Sequence, residues 1–414
     1  MRFPEGWYFR FTLIALTALA TLALAGCGGS SSSPNPNPTP TKVDNTQPIQ
    51  VNLGPANDYP NGVFTTVTIC VPGTSTCQAI PDVLVDTGSE GLRLLSSQVT
   101  LNLPAVTDNS SNGLQECVGF SDGSYVWGGV VSADIKMAGE KGSSVPIQLI
   151  DSSNTYPVPN ACTSSGGTNE NTVAALGANG ILGIGIFQQD CGSYCANNAA
   201  PGTYYLCPNG VCSATAVPVN FQLQNPVWTF PQDNNGVLIS LPSVPDTGAP
   251  TVSGSLIFGI GTQSDNALGS AQIYTTDASG NFQTTYNNIA YNQSFIDSGS
   301  NALYFLDSTT LGIPDCPNYP GWYCPASPTS YTVTNSGLNG TSGSVTLNVA
   351  NAEALFLANG GQNAAFNNLA GDSGTDISSD YFDFGMPFFY GRDVFVGIEN
   401  MTGPGNVVGP YYGY

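Results

Sequence analysis

Two short stretches of the sequence place an acidic residue at the end of an apolar run. Asp86 follows the run Val83–Val85, and Asp297 follows Phe295 and Ile296. Such runs predict buried strands, and a carboxylate at the end of a buried strand needs hydrogen-bond donors close by. Two carboxyl groups can perform general acid–base catalysis together when one is ionised and the other protonated.

The residues after each acid can supply the required donors, and they follow in the same order. The supporting residues are Thr87, Gly88 and Ser89 after the first acid, and Ser298, Gly299 and Ser300 after the second. The hydroxyls can donate directly, and glycine permits a turn that brings backbone N–H groups to the carboxylate. One Asp-Thr-Gly turn is typical of an Asx turn. Two copies, about half the chain apart, instead predict two halves of one site.

The composition limits both the fold and the chemistry. With 414 residues, 41% of them hydrophobic, and with 49 Gly and 30 Pro, the chain is long enough for two packed lobes and rich in turns, which favours mostly β structure. The net charge of −21 argues against nucleic acid as a partner. The sequence contains no histidine, which excludes Ser-His and Cys-His nucleophiles and histidine-based metal sites. Paired carboxylates are the remaining acid–base groups with a repeated sequence context.

The paired Asp-Thr/Ser-Gly-Ser loops resemble those of the pepsin-like aspartic proteases. The resemblance implies an all-β, bilobal architecture with a central cleft between two β lobes. It also implies that Asp86 and Asp297 share a proton and activate a water, with no metal and no cofactor. The expected partner is a peptide or protein substrate in the cleft, and the expected assembly is a monomer.

Two further stretches resemble the strands that close each lobe of that family behind the aspartate loops. The first is Ile181-Leu182-Gly183, within residues 179 to 187. The second is Asp383-Phe384-Gly385, which has an acid in its first, normally hydrophobic slot if Gly385 sets the register. The alternative is a motif shifted by one residue to begin at Phe382.

Residues 116 to 137 predict a hairpin around Asp122-Gly123, at the place where the resemblance implies the flap over the cleft. The candidate flap residues are Phe120, nearest the position of the family's tyrosine, with Tyr125 and Trp127 beyond the turn. Arg93 stands where the family often has a tryptophan that contacts that tyrosine. The two departures leave the gripping of the substrate undefined.

Ten of the 11 cysteines are predicted to form disulfides, because the chain has the features of a secreted protein. A zinc site in the cysteine-rich loop of residues 188 to 217 is the alternative. The pairs Cys70–Cys77 and Cys316–Cys324 each bracket one loop, while the connectivity of the others stays open. The remaining candidates are Cys117, Cys162, Cys191, Cys195, Cys207 and Cys212.

The N-terminus has the features of an exported, lipid-anchored protein. Residues 1–26 carry two arginines ahead of an apolar run, as in a signal peptide. The sequence Leu24-Ala25-Gly26-Cys27 resembles a bacterial lipobox, which implies lipidation of Cys27 and attachment to a membrane. The absence of aspartate after Cys27 implies the outer membrane of the cell envelope, facing the periplasm or the surface. An uncleaved anchor or an ordinary signal peptide is the alternative.

Residues 27–46 then predict a Ser/Pro/Asn tether, followed by an N-terminal lobe over 47–230 and a C-terminal lobe over 231–414. The leading hypothesis is a membrane-anchored aspartic endopeptidase. The second hypothesis is a lipoprotein of the same fold that binds peptide or glycan in its cleft without cleaving it, since a fold alone does not fix a function.

Overall fold

The structure is a computed structural model that describes residues 44–153, 155–199, 202–372 and 381–414. The predicted signal peptide, Cys27 and most of the predicted tether lie outside the described residues. The lipid anchor and its location therefore stay predictions.

The described chain consists mainly of strands, as the composition predicts. The strands of the first half are β1 Thr46–Asn52, β2 Gly62–Cys70, β3 Cys77–Asp86, β4 Glu90–Leu95, β5 Leu114–Gly119, β6 Tyr125–Met137, β7 Glu140–Ile150, β8 Gly180–Ile184, β9 Tyr204–Leu206 and β10 Ser213–Ala214. The strands of the second half are β11 Gly236–Ser240, β12 Val252–Phe258, β13 Ile273–Thr275, β14 Phe282–Tyr286, β15 Ile289–Ile296, β16 Leu303–Phe305, β17 Thr329–Ser336, β18 Ser342–Val349, β19 Ala370–Gly371, β20 Phe382–Phe384, β21 Asp393–Gly397 and β22 Tyr411–Gly413.

Helices in the described residues are short and lie between strands. The α-helices are α1 Val173–Leu176, α2 Gly192–Asn197, α3 Ser308–Leu311 and α4 Ala352–Leu357. Single 3₁₀ turns lie at Ser96–Gln98, Pro208–Gly210, Val219–Phe221, Val227–Thr229, Ala358–Gly361, Met386–Phe388 and Pro404–Asn406. No helix in the described part of the chain is both long and apolar enough to cross a membrane.

The strands form a 15-stranded sheet and a 7-stranded sheet. The order in the large sheet is β10-β9-β5-β6-β7-β4-β8-β3-β2-β1-β12-β11-β21-β22-β13, and the order in the small sheet is β18-β17-β14-β15-β20-β16-β19. In the large sheet β1 pairs with β2 on one side and with β12 on the other. The large sheet thus contains strands from both sides of residue 230, and the division into two lobes at that position stays a prediction.

The largest apolar core joins residues from both sheets. Val85 and Leu182 from the large sheet and Ile296 and Phe384 from the small sheet are at most 1% exposed and belong to one cluster. Val85 and Ile296 lie on the strands that end at the two aspartate loops, and Leu182 and Phe384 lie on the strands that pair with them. The core therefore packs directly behind the loops and fixes where each acid leaves its strand.

All ten cysteines predicted to pair do so, in five disulfides, of which four join cysteines 4 to 8 residues apart and one, Cys117–Cys162, joins cysteines 45 residues apart. The bonds are Cys70–Cys77, Cys117–Cys162, Cys191–Cys195, Cys207–Cys212 and Cys316–Cys324. The two predicted pairs are confirmed. The four cysteines of the cysteine-rich loop form two short-range disulfides. They do not form the alternative zinc site, because disulfide sulfurs are not thiolate ligands.

Arg93 lies in β4 and is fully buried, with 0% exposure. Its guanidinium forms ion pairs with Glu116 at 2.9 Å and Asp190 at 3.5 Å, and it donates to the backbone oxygen of Glu90 at 2.6 Å. The hydroxyl of Tyr204 donates to Asp190 at 2.8 Å. Arg93 thus joins β4 to β5 and to the cysteine-rich loop.

We expect Arg93→Met to lower the free energy of unfolding by about 3–5 kcal/mol, because it leaves two buried acids without their cation. Lys141→Met is the matched control, since the Lys141 side chain is 42% exposed and its partner Asp134 keeps the Gly73 and Ser144 N–H donors, so its expected cost is about 1 kcal/mol. Urea unfolding of the two variants measures the difference. Equal costs would contradict a stabilising role for the buried network.

Candidate active site

The two aspartate loops occupy equivalent places at the ends of equivalent strands. β3 ends at Asp86 and runs parallel to β8, and β15 ends just before Asp297 and runs parallel to β20. The paired positions are Leu84 with Ile181, Val85 with Leu182, Asp86 with Gly183, Phe295 with Asp383 and Ile296 with Phe384. Gly385 therefore sets the register of the second closing motif, and Asp383 takes the place that Ile181 has in the first.

Thr87 and Ser298 connect the two loops through reciprocal hydrogen bonds. The Ser298 backbone N–H donates to Thr87 Oγ1 at 2.9 Å, and the Thr87 backbone N–H donates to Ser298 Oγ at 3.1 Å. Each hydroxyl also donates across the interface, Ser298 to Val85 O at 2.8 Å and Thr87 to Ile296 O at 3.3 Å. Both residues are 1% exposed. Four hydrogen bonds thus hold the loops against each other in a dry environment.

Each carboxyl receives the same kinds of donor from its own loop. The Gly88 N–H donates to Asp86 Oδ1 at 2.8 Å, and the Gly299 N–H donates to Asp297 Oδ1 at 2.7 Å. Ser89 donates to Asp86 Oδ2, and Ser300 donates to Asp297 Oδ2 at 3.0 Å. The two halves of the site are therefore alike in their hydrogen bonds.

The glycines of the loops let the opposite carboxyl come close. A Cβ atom added to Gly88 would lie 2.5 Å from Asp297 Cγ, and one added to Gly299 would lie 2.6 Å from Asp86 Oδ1. Any side chain at either position would collide with the acid of the other loop. The glycines are thus required here by close approach.

The two carboxyl groups face each other across the loops, since a Cβ atom added to Gly299 would lie 2.6 Å from Asp86 Oδ1 and 3.1 Å from Asp297 Oδ1. Burial raises the pKa of Asp297 well above its usual range, and the charges of Asp86 and Asp383 raise it further. Two acids this close cannot both ionise at low cost. Burial and the neighbouring acids therefore favour the protonated form of Asp297.

Two more buried acids lie beside the pair. Glu90 directly follows the first loop, is 4% exposed and accepts from the Phe187 N–H at 3.2 Å, and burial raises its pKa to about 8. Asp383 is 5% exposed and accepts from Ser300 at 2.6 Å. The sequence marks Asp383 as a departure from a hydrophobic slot but predicts no role for it, and no sequence pattern singles out Glu90.

Tyr59 is a site residue that the sequence analysis missed. It lies in the loop between β1 and β2, and its hydroxyl donates to Gly299 O at 3.4 Å. Burial raises the pKa of Tyr59, and the charges of Glu170, Asp86 and Asp297 raise it further. Tyr59 therefore places a neutral phenol beside both aspartates. No local pattern in the sequence distinguishes this tyrosine from the others.

The predicted hairpin is present as β5 and β6, but its candidate flap residues have different surroundings. Phe120 is half-buried and packs in one cluster with Tyr59. Tyr125 and Trp127 are buried with the Cys117–Cys162 disulfide, and the Trp127 ring meets the Tyr205 ring edge-on at 5.4 Å. Of the three candidate flap residues, Phe120 is therefore the one that packs in a cluster with Tyr59, the tyrosine beside the two aspartates.

Cys316, Cys324 and Glu353 form the one group of potential metal ligands among the described residues. The two cysteines are joined in a disulfide, so they offer no thiolate. The carboxyl pair remains as the chemically equipped site.

Residues 41–414 match the family described as "Protein of unknown function (DUF3443)". No curated protein matches the sequence. Among solved structures, the aspartic proteinase from Irpex lacteus is similar, with a TM-score of 0.51 and 16% sequence identity over 90% of this chain and 96% of that chain. At this identity the likeness concerns the fold.

We expect Thr87→Val to lower the free energy of unfolding by about 1–3 kcal/mol, because it leaves the buried Ser298 N–H without an acceptor. Ser298→Ala should have a similar cost. The two changes remove different hydrogen bonds between the same two loops, and the double variant should cost less than the sum, because the first change lets the loops separate and so weakens the second bond. Thr66→Val, at an exposed position of β2, is the control and should change stability by less than about 0.5 kcal/mol. Additive costs in urea unfolding would contradict the coupling.

Proposed function

The chain belongs to the DUF3443 family of proteins of unknown function. We propose that it is an aspartic-type endopeptidase that hydrolyses peptide bonds with Asp86 and Asp297. The observation that carries the proposal is the pair of facing carboxyl groups, in which each acid is held by one glycine N–H and one serine hydroxyl from its own loop. A structural ion pair or turn needs no such duplicated arrangement around two acids.

The proposed reaction needs one ionised and one protonated carboxyl at the same moment. Ionised Asp86 takes a proton from a water held between the two acids, and the water oxygen attacks the carbonyl carbon of the peptide bond. Asp297 gives its proton to the carbonyl oxygen. The intermediate is then a neutral diol on carbon, and the acids have exchanged protonation states.

The second half of the reaction returns the protons. Asp86 donates its proton to the peptide nitrogen as the C–N bond breaks, and Asp297 recovers a proton from one hydroxyl of the diol. The products are a carboxylic acid and an amine, and the pair returns to its starting state. Asp297 is partly exposed whereas Asp86 is 7% exposed, so water can reach the pair from one side.

Further support comes from the surroundings of the pair. Thr87 and Ser298 fix the two loops, which keeps the acids at one separation during both steps. The likeness to the Irpex lacteus aspartic proteinase supports a two-lobed, pepsin-like arrangement with the substrate in the cleft. We also propose, from the sequence alone, that a lipid on Cys27 anchors the enzyme in the cell envelope.

We expect Asp86→Asn and Asp297→Asn each to lower kcat by at least about 100-fold, because each removes one partner of the acid–base pair. Wild-type activity on a denatured protein substrate should be greatest in acid, within about pH 3–6, and should fall as the pair loses its shared proton. Release of new amino termini, followed with and without chelator, measures both effects. Activity should not depend on the chelator.

Asp393→Asn is the matched control, since Asp393 is exposed on β21, and it should retain wild-type activity. The five disulfides should first be verified as intact, because they cross-link other parts of the described chain. If the wild-type protein releases no amino termini across that range, the proposal is wrong. Unchanged binding of a peptide or glycan in both aspartate variants would then favour the non-catalytic binding role.

A further inference from the structure

Asp383 makes the second half of the site chemically different from the first. It lies in β20 between Phe382 and Phe384, which are each 1% exposed. Its counterpart behind the first loop is Ile181, an apolar residue with 3% exposure. The strand can therefore fill this place with a hydrocarbon side chain, and an acid is not needed for packing.

The hydrogen bonds of Ser300 limit where protons can be. Its Oγ lies 3.0 Å from Asp297 Oδ2 and 2.6 Å from Asp383 Oδ2. A serine hydroxyl has one hydrogen and can donate it to one oxygen. Both contacts are hydrogen bonds only if one of the two carboxyls is protonated and donates to Ser300.

Asp297 is the better satisfied acceptor of the two acids, because its other oxygen, Oδ1, accepts the Gly299 N–H at 2.7 Å. Asp383 has no such second contact: its Oδ1 is buried and has no hydrogen-bond partner among the described residues. Ion pairs in the described chain involve Arg93 and Lys141, and none reaches Asp383. An ionised Asp383 would therefore be a buried charge with half of its oxygens unsatisfied.

We propose that Asp383 is a positioning residue that stays protonated and donates to Ser300, so that the Ser300 hydrogen is directed to Asp297. The effect on catalysis depends on the proposed peptidase function. The protonation of Asp383 does not depend on it. Asp297 then has a hydroxyl donor with a fixed direction. Asp86 has the equivalent donor in Ser89 without the help of a third acid.

The electrostatic surroundings agree with a neutral Asp383. Burial raises the pKa of Asp383 to about 8, the Ser300 hydrogen bond opposes the rise, and the charge of Asp86 adds to it. The titratable groups that face Asp383 are Asp297 and Asp86 from the two loops, Tyr304 from β16 and Tyr412 from β22. These four groups of the described residues are all acids, so none of the four favours the ionised form of Asp383.

The first test measures the proton through stability and needs no activity. A group whose pKa is higher in the folded state than in the unfolded state stabilises the fold most at low pH, and it loses that contribution as pH rises through the folded value. Between about pH 4 and pH 8, the free energy of unfolding of the wild type should therefore fall more steeply with pH than that of Asp383→Asn. The difference in slope corresponds to about one additional proton released when the wild type unfolds. Asp393→Asn should keep the wild-type slope. Equal slopes in wild type and Asp383→Asn would overturn the inference.

The second test is a cycle of variants that asks whether Asp383 acts through Ser300. Asp383→Asn keeps a donor toward Ser300, whereas Asp383→Ile copies the first half of the site and removes it. We expect Asp383→Asn to retain kcat within about threefold at acidic pH, and Asp383→Ile to lower kcat by about three- to tenfold, the effect of one hydrogen bond, with KM little changed. In a Ser300→Ala background the two substitutions should have the same kcat.

Urea unfolding of the same variants tests the role of Ser300 even if the protein has no peptidase activity. If Asp383 donates to Ser300, Asp383→Ile should destabilise the wild type more than the Ser300→Ala variant. Equal effects in both backgrounds would overturn the role of Ser300. An inactive wild type that nevertheless shows the one-proton slope and the non-additive cycle would refute the proposed peptidase while retaining the protonated Asp383.

Discussion

The mutual hydrogen bonding of Thr87 and Ser298 is the contact on which the site depends. It joins two loops that lie in different halves of the chain and end strands of different sheets. A buried N–H that loses its acceptor is costly, so each loop needs the other in order to be satisfied. The separation of the two acids follows from this contact, and the apolar core behind the loops makes it rigid.

The described part of the chain concentrates buried acids around the aspartate pair. Glu90 and Asp383 lie beside the pair, while the charge of Arg93 is matched by Glu116 and Asp190 and Lys141 lies at the start of β7. Carboxyls with raised pKa values stabilise the folded state in acid and cease to do so as pH rises through those values. The same charges that prepare the proposed chemistry thus favour a fold that is most stable where the chemistry would operate.

Local sequence patterns predicted the parts of the molecule that depend on near neighbours. The apolar runs before Asp86 and Asp297, the hairpin around Gly123 and the two short cysteine pairs follow from residues adjacent in the chain. Tyr59, by contrast, reaches Gly299 from 240 residues away, and no local pattern encodes such a contact. Trp127 was selected as a flap residue because it is aromatic and near the turn, but the disulfide packing beneath the hairpin buries it. Asp383 could be seen as an anomaly from sequence, but its partner Ser300 could be found only in three dimensions.

The place of β1 has a consequence for the order in which the protein can fold. This first strand of the described chain lies inside the large sheet, and its outer partner is β12, with Thr46 opposite Ile257. About half of the chain must therefore be made, and if it is exported also delivered, before β1 can gain its second neighbour. Until then β1 presents an unpaired edge, of the kind that promotes association with other chains. Completion of the large sheet is thus a late step in the folding of each molecule.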